Sequence, residues 1–378
     1  MGRLETAYQT YDFLVLTLSG KDSLATVELT GAMLDRLPPD QRTKPVYLIS
    51  ANTKVENPVL IDVIQRLHQA IQTTADARDW PLTCRLLAPD AENTFWTQVI
   101  GKGYPPPNRL SRWCTARLKQ APNDQFIAEL SASRAGQKGV LVLGVRDTES
   151  VLRSQSNARH ALDGDDFYAT NPLAWMTSAT PVRSWTTDEI WGYLSEDAPF
   201  WEAEVAGLIG LYRYATGTCE LAIAHPATDK ESQTQSLFQQ CGSNPGRMGC
   251  VTCTVVSRDA SLEALNTAHH GLYDPYLRIQ TALRQTADPR LGLRTGIQRT
   301  RASGVWTQGY GELTPSAVCW LLTLLLDANL PLADDEIAAI GQLWHDRAWR
   351  GECRMPDKAW VLLDRHARAH QPIRMLSA

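Results

Sequence analysis

The chain has 378 residues, of which 43% are hydrophobic and 21% charged, and its formal net charge is -4. That length suits one large domain or a core domain with a second one added. The mild acidity excludes a polycation, so any nucleic-acid contact must come from a local patch. There is no apolar run of roughly 18 residues or more, so no membrane span is expected. The polar start "MGRLETAYQTYDF" is unlike a signal peptide, and the expected compartment is the cytoplasm. In that setting the eight cysteines point to metal or catalysis rather than to a disulfide framework.

In chain order, "DFLVLTL" (12–18) reads as a buried strand and "SLATVELTGAMLDRL" (23–37) as a helix. "PVYLIS" (45–50), "LTCRLLAP" (82–89) and "GVLVLGVR" (139–146) are further strands, and 57–77 is a long amphipathic helix. Short apolar runs separated by helices predict βαβ units around a parallel sheet. "TTDEIWGYLSED" (186–197) has the Thr-then-acid signature of a capped helix. From about residue 200 the alternation stops. Five helical stretches follow, "SLEALNTAHH", "PYLRIQTALRQ", "PSAVCWLLTLLLDANL", "DDEIAAIGQLWHDR" and "DKAWVLLDRHARAH". The expected division is therefore an α/β domain over 1–200 and a mostly helical region over 201–378.

In parallel sheets, ligands bind beyond the carboxyl ends of the strands. The turn after the first strand is "SGKDS", Ser19 to Ser23, leading straight into a helix. Free N–H groups and the positive end of a helix dipole favour an anion there. Gly20 admits close backbone approach, Lys21 adds charge, and Ser19 and Ser23 add hydroxyls. The spacing is not that of a Walker A loop, which needs a second Gly before the Lys. The later turns offer Asn52, Thr53 and Glu56, then Gly144, Arg146 and Glu149. Arg109, Arg112, Arg117, Lys119 and Arg146 supply cations for a polyanion. Asp22, Glu56 and Glu149 are carboxylates suited to Mg²⁺ beside phosphate oxygens.

Cys219, Cys241, Cys250 and Cys253 form a C-x21-C-x8-C-x2-C pattern. Four thiolates suit zinc or an iron–sulfur cluster, and spacing alone leaves both open. Cys114 stands apart in "RWCT". It reads either as a nucleophile whose pKa is lowered by Arg109, Arg112 and Arg117, or as a small buried residue beside Trp113. Cys84, Cys319 and Cys353 read as core positions. Six arginines, Arg278, Arg284, Arg290, Arg294, Arg299 and Arg301, face one acid, Asp288, over 278–301. Such a stretch fits a DNA backbone, a solvated face or a partner protein.

"SGKDS" resembles the S-G-G-x-D-S PP-loop of ATP pyrophosphatases, with Ser19 where the first Gly usually stands. "GYPPPNRLSRWCTARLK" (103–119), "LGVRDTES" (143–150) and "SANTKVENP" (50–58) resemble segments of the PAPS-reductase-like branch of that family, with Asn52 where an acid is common. "GLIGLYRYATGTC" (207–219) and "CGSNPGRMGCVTCTVVSRDASLEAL" (241–265) resemble the DndC- and SspD-type proteins of DNA phosphorothioation systems. The resemblance reaches about residue 270. It implies a Rossmann-like HUP (adenine nucleotide alpha hydrolase) fold with helices on both sheet faces. It implies ATP, Mg²⁺ and a [4Fe–4S] cluster on Cys219, Cys241, Cys250 and Cys253. It implies cleavage of ATP to AMP and pyrophosphate to activate a DNA phosphate for sulfur insertion. Lys21, Asp22, Ser23, Arg146 and Cys114 are the expected catalytic set. Ser19, Gly20, Asn52, Thr53, Glu56, Arg112, Arg117, Lys119, Gly144 and Glu149 complete the nucleotide site. The implied partners are DNA, a cysteine desulfurase as sulfur donor and other proteins of such a system, with no membrane. Two alternatives stand beside it. One is a PAPS or APS reductase, although the chain lacks an E-C-G-I-H-like tail and "GECRMP" (351–356) is its nearest approach. The other is a scaffold that binds ATP without turnover.

Overall fold

The computed structural model describes residues 2–149, 151–162, 165–173, 175–197, 200–216, 248–296, 298–299, 306–307, 311–330, 332–351 and 354–369. Within them lies a six-stranded sheet in the order β3-β2-β1-β4-β6-β5. The strands are β1 (Phe13–Thr17), β2 (Val46–Ala51), β3 (Leu82–Leu87), β4 (Gly139–Val142), β5 (Tyr168–Ala169) and β6 (Met176–Ala179). All pairs are parallel except β5 with β6. β1 is central because "FLVL" is apolar at every position and buried at every position, as a strand covered on both faces requires.

Alternate side chains of β1 point to opposite faces. Phe13 and Val15 pack with Ile49, Met176 and Leu130 on one face, where α4 (Ala121–Ser133) adds Phe126 and Ile127. Leu14 and Leu16 belong to the other face, which α2 (Lys21–Arg36) and α3 (Pro58–Ala77) cover as right-handed crossovers between β1, β2 and β3. The chain runs outward from β1 to β3, then returns to place β4 on the other side of β1. The strand order therefore reverses between β1 and β4, the position at which open α/β sheets bind ligands.

The four strands expected from the sequence are present, with β4 ending at Val142 rather than at 146. Two strands were not expected. β6 is "MTSA" and β5 is two residues long, so neither carries an apolar run. A capping box closes α6 (Thr187–Gly192): Thr186 Oγ1 accepts from the Glu189 N–H at 3.2 Å, and the Thr186 N–H donates to Glu189 Oε2 at 2.7 Å. Such a cap contributes about 1 kcal/mol. α7 (Glu202–Thr216) follows.

The five later helices form as expected: α8 (Ala260–Ala268), α9 (Asp274–Gln285), α10 (Pro315–Asp327), α11 (Asp334–Trp349) and α12 (Asp357–Ala369). A short antiparallel pair, β7 (Gln298–Arg299) with β8 (Trp306–Thr307), lies among them. No helix of the described residues is long and apolar enough to cross a membrane.

The chain divides into two compact units. One takes Met1–Ala51, Pro58–Leu87 and Asn123–Met248, and the other Asn52–Asn57, Ala88–Pro122 and Gly249–Ala378. This cuts the chain differently from the expected single boundary at 200. The physical reason lies in the second unit's core. Phe95, Trp96, Val99, Ile100 and Leu118, which precede residue 200, are buried with Leu321, Leu322, Ile340 and Trp344 of α10 and α11. The indole of Trp344 donates to the Ile100 carbonyl at 3.1 Å, so even its polar atom is satisfied. His366 of α12 is buried in the same unit, with the Leu332 N–H donating to its Nδ1 at 3.3 Å and its Nε2 at 3.1 Å from the Leu322 carbonyl.

Candidate functional site

The first unit contains the loop between β1 and α2. Its entry is fixed by a buried chain of polar groups. Ser50 Oγ donates to the Leu18 carbonyl at 2.6 Å, and His68 Nε2 lies 2.7 Å from Ser50 Oγ. Since the Ser50 hydrogen is used, His68 donates through Nε2. Burial lowers the His68 pKa to about 4, so the ring stays neutral and the link persists at physiological pH.

Ser23 folds the loop onto itself. Its Oγ accepts from the Ser19 N–H at 2.8 Å and the Gly20 N–H at 3.1 Å, and donates to the Gly20 carbonyl at 2.9 Å. Gly20 is extended, with φ 167°, so backbone strain does not select glycine here. Space does: a Cβ at Gly20 would lie 2.8 Å from the hydroxyl of Tyr212. The requirement at Gly144, in the loop after β4, is stronger. A Cβ there would lie 2.4 Å from the Ser23 nitrogen and 2.5 Å from its Cα. The two loops at the strand-order reversal thus touch backbone to backbone.

Their charges are paired internally. Asp22 receives Lys21 Nζ at 2.8 Å on Oδ2 and Arg146 Nε at 2.7 Å on Oδ1. Arg146 is 3% exposed, and its Nη1 donates to Thr148 Oγ1 at 2.7 Å and the Trp185 carbonyl at 3.3 Å. The Arg146 N–H donates to Glu149 Oε1 at 3.2 Å. Arg146 and Asp22 therefore staple the β4 loop to the start of α2. Ser19, Gly20, Lys21, Asp22, Ser23, Gly144, Arg146 and Glu149 all fall in this unit, and the loop, Gly144 and Arg146 meet directly.

The remaining candidates fall in the second unit. Asn52 Oδ1 accepts from the Lys54 N–H at 2.9 Å, which stabilises the left-handed Lys54 (φ 62°). Thr53 Oγ1 lies 3.7 Å from Cys250 Sγ, and Cys250 Sγ donates to Glu56 Oε2 at 3.6 Å. Glu56 Oε1 pairs with Lys119 Nζ at 3.1 Å. Partial desolvation opposes the Lys119 charge, but Cys250 and Glu56 outweigh it and hold its pKa above the ordinary value. Glu56 is thus tied to a thiol and an ammonium. Arg117 bonds Gln98 Oε1 and lies 4.8 Å over the Tyr104 ring. Arg112 is exposed, and Arg109 Nε is 3.5 Å from the Val255 carbonyl.

These cations do not activate Cys114. Its pKa is raised, first by burial and then by Cys253, because neighbours in sequence aim their guanidinium groups elsewhere. Cys250 is pushed up to about 12, mainly by burial and then by Glu56. Cys84 is half-buried in β3 and pushed up to about 12 by burial, while Cys319 is buried in α10. Cys353 lies outside the described residues.

Cys250 and Cys253 are free thiols in a tight turn, with the Cys253 N–H donating to the Cys250 carbonyl at 3.0 Å. That turn fits two ligands of a thiolate site. Cys219 and Cys241 lie outside the described residues, among which no three His, Cys, Asp or Glu side chains are grouped to hold a metal ion. The arginines of 278–301 do not make one solvated run. Arg278 and Arg290 are exposed and Arg290 pairs with Asp288 at 2.6 Å. Arg284 donates to the Val256 carbonyl at 3.2 Å, Arg294 is half-buried, and Arg301 lies outside the described residues.

No family profile and no curated protein matches the chain. Among solved structures it is similar to phosphoadenylyl-sulfate (PAPS) reductase from Candida auris, a phosphate complex. The TM-score is 0.34 at 17% identity, over 55% of this chain and 83% of that one. A likeness of that degree says nothing about chemistry, which rests on the residues.

Tyr212 went unnoticed in the sequence as a neighbour of the loop. It sits on α7, nearly two hundred residues from Gly20, and nothing local distinguishes it from other helix tyrosines. Burial, followed by Asp22, pushes its pKa to about 12, and the Lys21 N–H is directed at its oxygen. Trp191 flanks the ring edge-on at 5.3 Å.

Proposed function

We propose that the chain is an ATP pyrophosphatase of the PP-loop kind, serving the phosphorothioation of DNA. The observation that carries the nucleotide reading is the Ser19–Ser23 loop, seated where the strand order reverses and held to Gly144 and Arg146. A helix N-terminus, an ammonium and close-packed glycines are the parts an oligophosphate needs. The function itself follows from the motif resemblance.

In this reading a non-bridging oxygen of a DNA phosphodiester attacks the α-phosphorus of ATP. The bond from that phosphorus to the bridging oxygen breaks, and pyrophosphate leaves with the electron pair. The adenylated phosphate then loses AMP to a sulfur nucleophile supplied through a cysteine desulfurase. Gly20, Lys21 and Ser23 hold the pyrophosphate, and Asp22 and Glu149 turn to a Mg²⁺ that bridges it. Arg146 balances charge at the loop, so positioning and electrostatics do the catalytic work. Cys250 and Cys253, with Cys219 and Cys241, hold a [4Fe–4S] cluster, which supplies either a structural anchor or an electron-rich sulfur site. Cys114 and the loop from Asn52 to Glu56 belong to the sulfur side of the protein. The site of action is the cytoplasm, with DNA and the other proteins of the system as partners.

The test is anaerobic incubation with ATP and Mg²⁺, with and without DNA, separating AMP from ADP. AMP and pyrophosphate from the wild type, and at least a hundredfold less from Lys21→Ala, are expected. ADP and phosphate instead, or selective binding of PAPS, would overturn the reading.

A further inference from the structure

The loop between β1 and α2 is not open to an anion in this conformation. Two of its amides, Ser19 and Gly20, are turned onto Ser23 Oγ. The next amide, Lys21, is directed at the Tyr212 oxygen. That oxygen stands 2.8 Å from where a Cβ of Gly20 would be, so the phenol fills the space the glycine leaves open. Lys21 Nζ is drawn to the same group, 5.8 Å from the ring centroid, while it pairs with Asp22. A neutral oxygen of the chain itself therefore occupies the position on the helix N-terminus that a phosphate oxygen takes in such loops.

We propose that Tyr212 is a built-in competitor for the phosphate seat: its hydroxyl holds the Lys21 amide in the empty protein and must leave before an oligophosphate binds. The inference rests on the nucleotide reading of the loop and adds how that site is regulated. A phosphate oxygen and the phenol oxygen cannot both take one N–H at hydrogen-bond distance. The phenol is a good placeholder. It satisfies a buried donor that would otherwise be costly, and it remains un-ionised, so it adds no negative charge beside Asp22. An oligophosphate brings formal charge and Mg²⁺, and its charge-assisted bonds outcompete a neutral one. The end of α7 moves with the ring when it leaves.

The ring itself packs on Trp191, so Tyr212→Phe keeps the packing and removes only the oxygen. Binding of Mg²⁺-ATP and of inorganic pyrophosphate is measured by calorimetry for both proteins. Losing a competing neutral hydrogen bond should tighten both ligands by about two- to tenfold. Unchanged or weaker binding in Tyr212→Phe, with the wild type still binding, overturns the competitor and leaves the nucleotide reading in place. Absence of binding by both proteins overturns the two together. The wild type gives a second reading that needs no variant. Pyrophosphate should speed amide hydrogen exchange in the last turn of α7, and slowed or unaltered exchange there also overturns the proposal.

Discussion

Glu28 shows how much a single side chain can cost. It lies in the middle of α2, is 0% exposed, and neither carboxylate oxygen meets a hydrogen-bond partner. Burial raises its pKa from 4.5 to about 8, and the N–H groups of Phe200 and Trp201, at the start of α7, offset only part of that. The unfolded chain ionises Glu28 near pH 4.5 while the folded chain keeps it protonated to about 8. Stability from this group is thus fully present below pH 4.5 and is lost as pH rises to about 8, by about 1.4 kcal/mol per unit. Glu28→Gln should flatten that slope and be more stable than the wild type at pH 8 by on the order of 2–4 kcal/mol. Urea unfolding at pH 5 and pH 8 checks it, and parallel curves for the two proteins would rule Glu28 out as the source. The sequence announces neither Glu28 nor Tyr212. Both acquire their character from α7, which lies far along the chain. Gly20, Lys21 and Ser23 were legible because a strand, a turn and a helix start are consecutive. Arg146 was legible as a cation but not as a buried staple, since Asp22 is 124 positions away.

At the scale of elements, apolar runs announced β1 to β4, and helical spacing announced α8 to α12. β6 was missed because its four residues, "MTSA", look like a loop, and its strand geometry comes from pairing with β4. The segment 88–122 was legible as loop and motif, but its place was not. Phe95, Val99 and Ile100 bury with helices that begin after residue 310, and no local pattern encodes that. The contact between the β4 loop and α2 carries a test of its own. Gly144→Ala puts a methyl against the Ser23 backbone, which has no rotamer with which to yield. The loops must part, at a cost of about 1–3 kcal/mol, and nucleotide binding should be lost with them. Gly207→Ala, inside α7 with nothing within 4 Å of the added carbon, is the control and should be neutral or stabilising by up to about 1 kcal/mol. Equal effects of the two substitutions on thermal unfolding would mean that the loops are not in close contact.

For the molecule as a whole, charge decides which ligands can approach. The net charge of -4 repels polyphosphates at long range. The loop does not offset this. Lys21 and Arg146 are matched by Asp22 and Glu149, so the four groups sum to zero, and the pairs are already formed. A tetra-anionic nucleotide would have to break the Lys21–Asp22 pair and leave Asp22 facing its own phosphates. A divalent cation removes both difficulties, since it neutralises part of the nucleotide and gives Asp22 and Glu149 a positive partner. Nucleotide affinity should therefore depend on Mg²⁺ more steeply than in a loop with surplus cations. Calorimetry with ATP in excess EDTA is expected to show at least tenfold weaker binding than with Mg²⁺, about 1.4 kcal/mol or more. In Asp22→Asn the internal counter-charge is gone, and metal-free ATP should bind more tightly than it does to the wild type. If metal-free ATP binds the wild type as well as Mg²⁺-ATP does, the loop's ion pairs are not what sets its affinity.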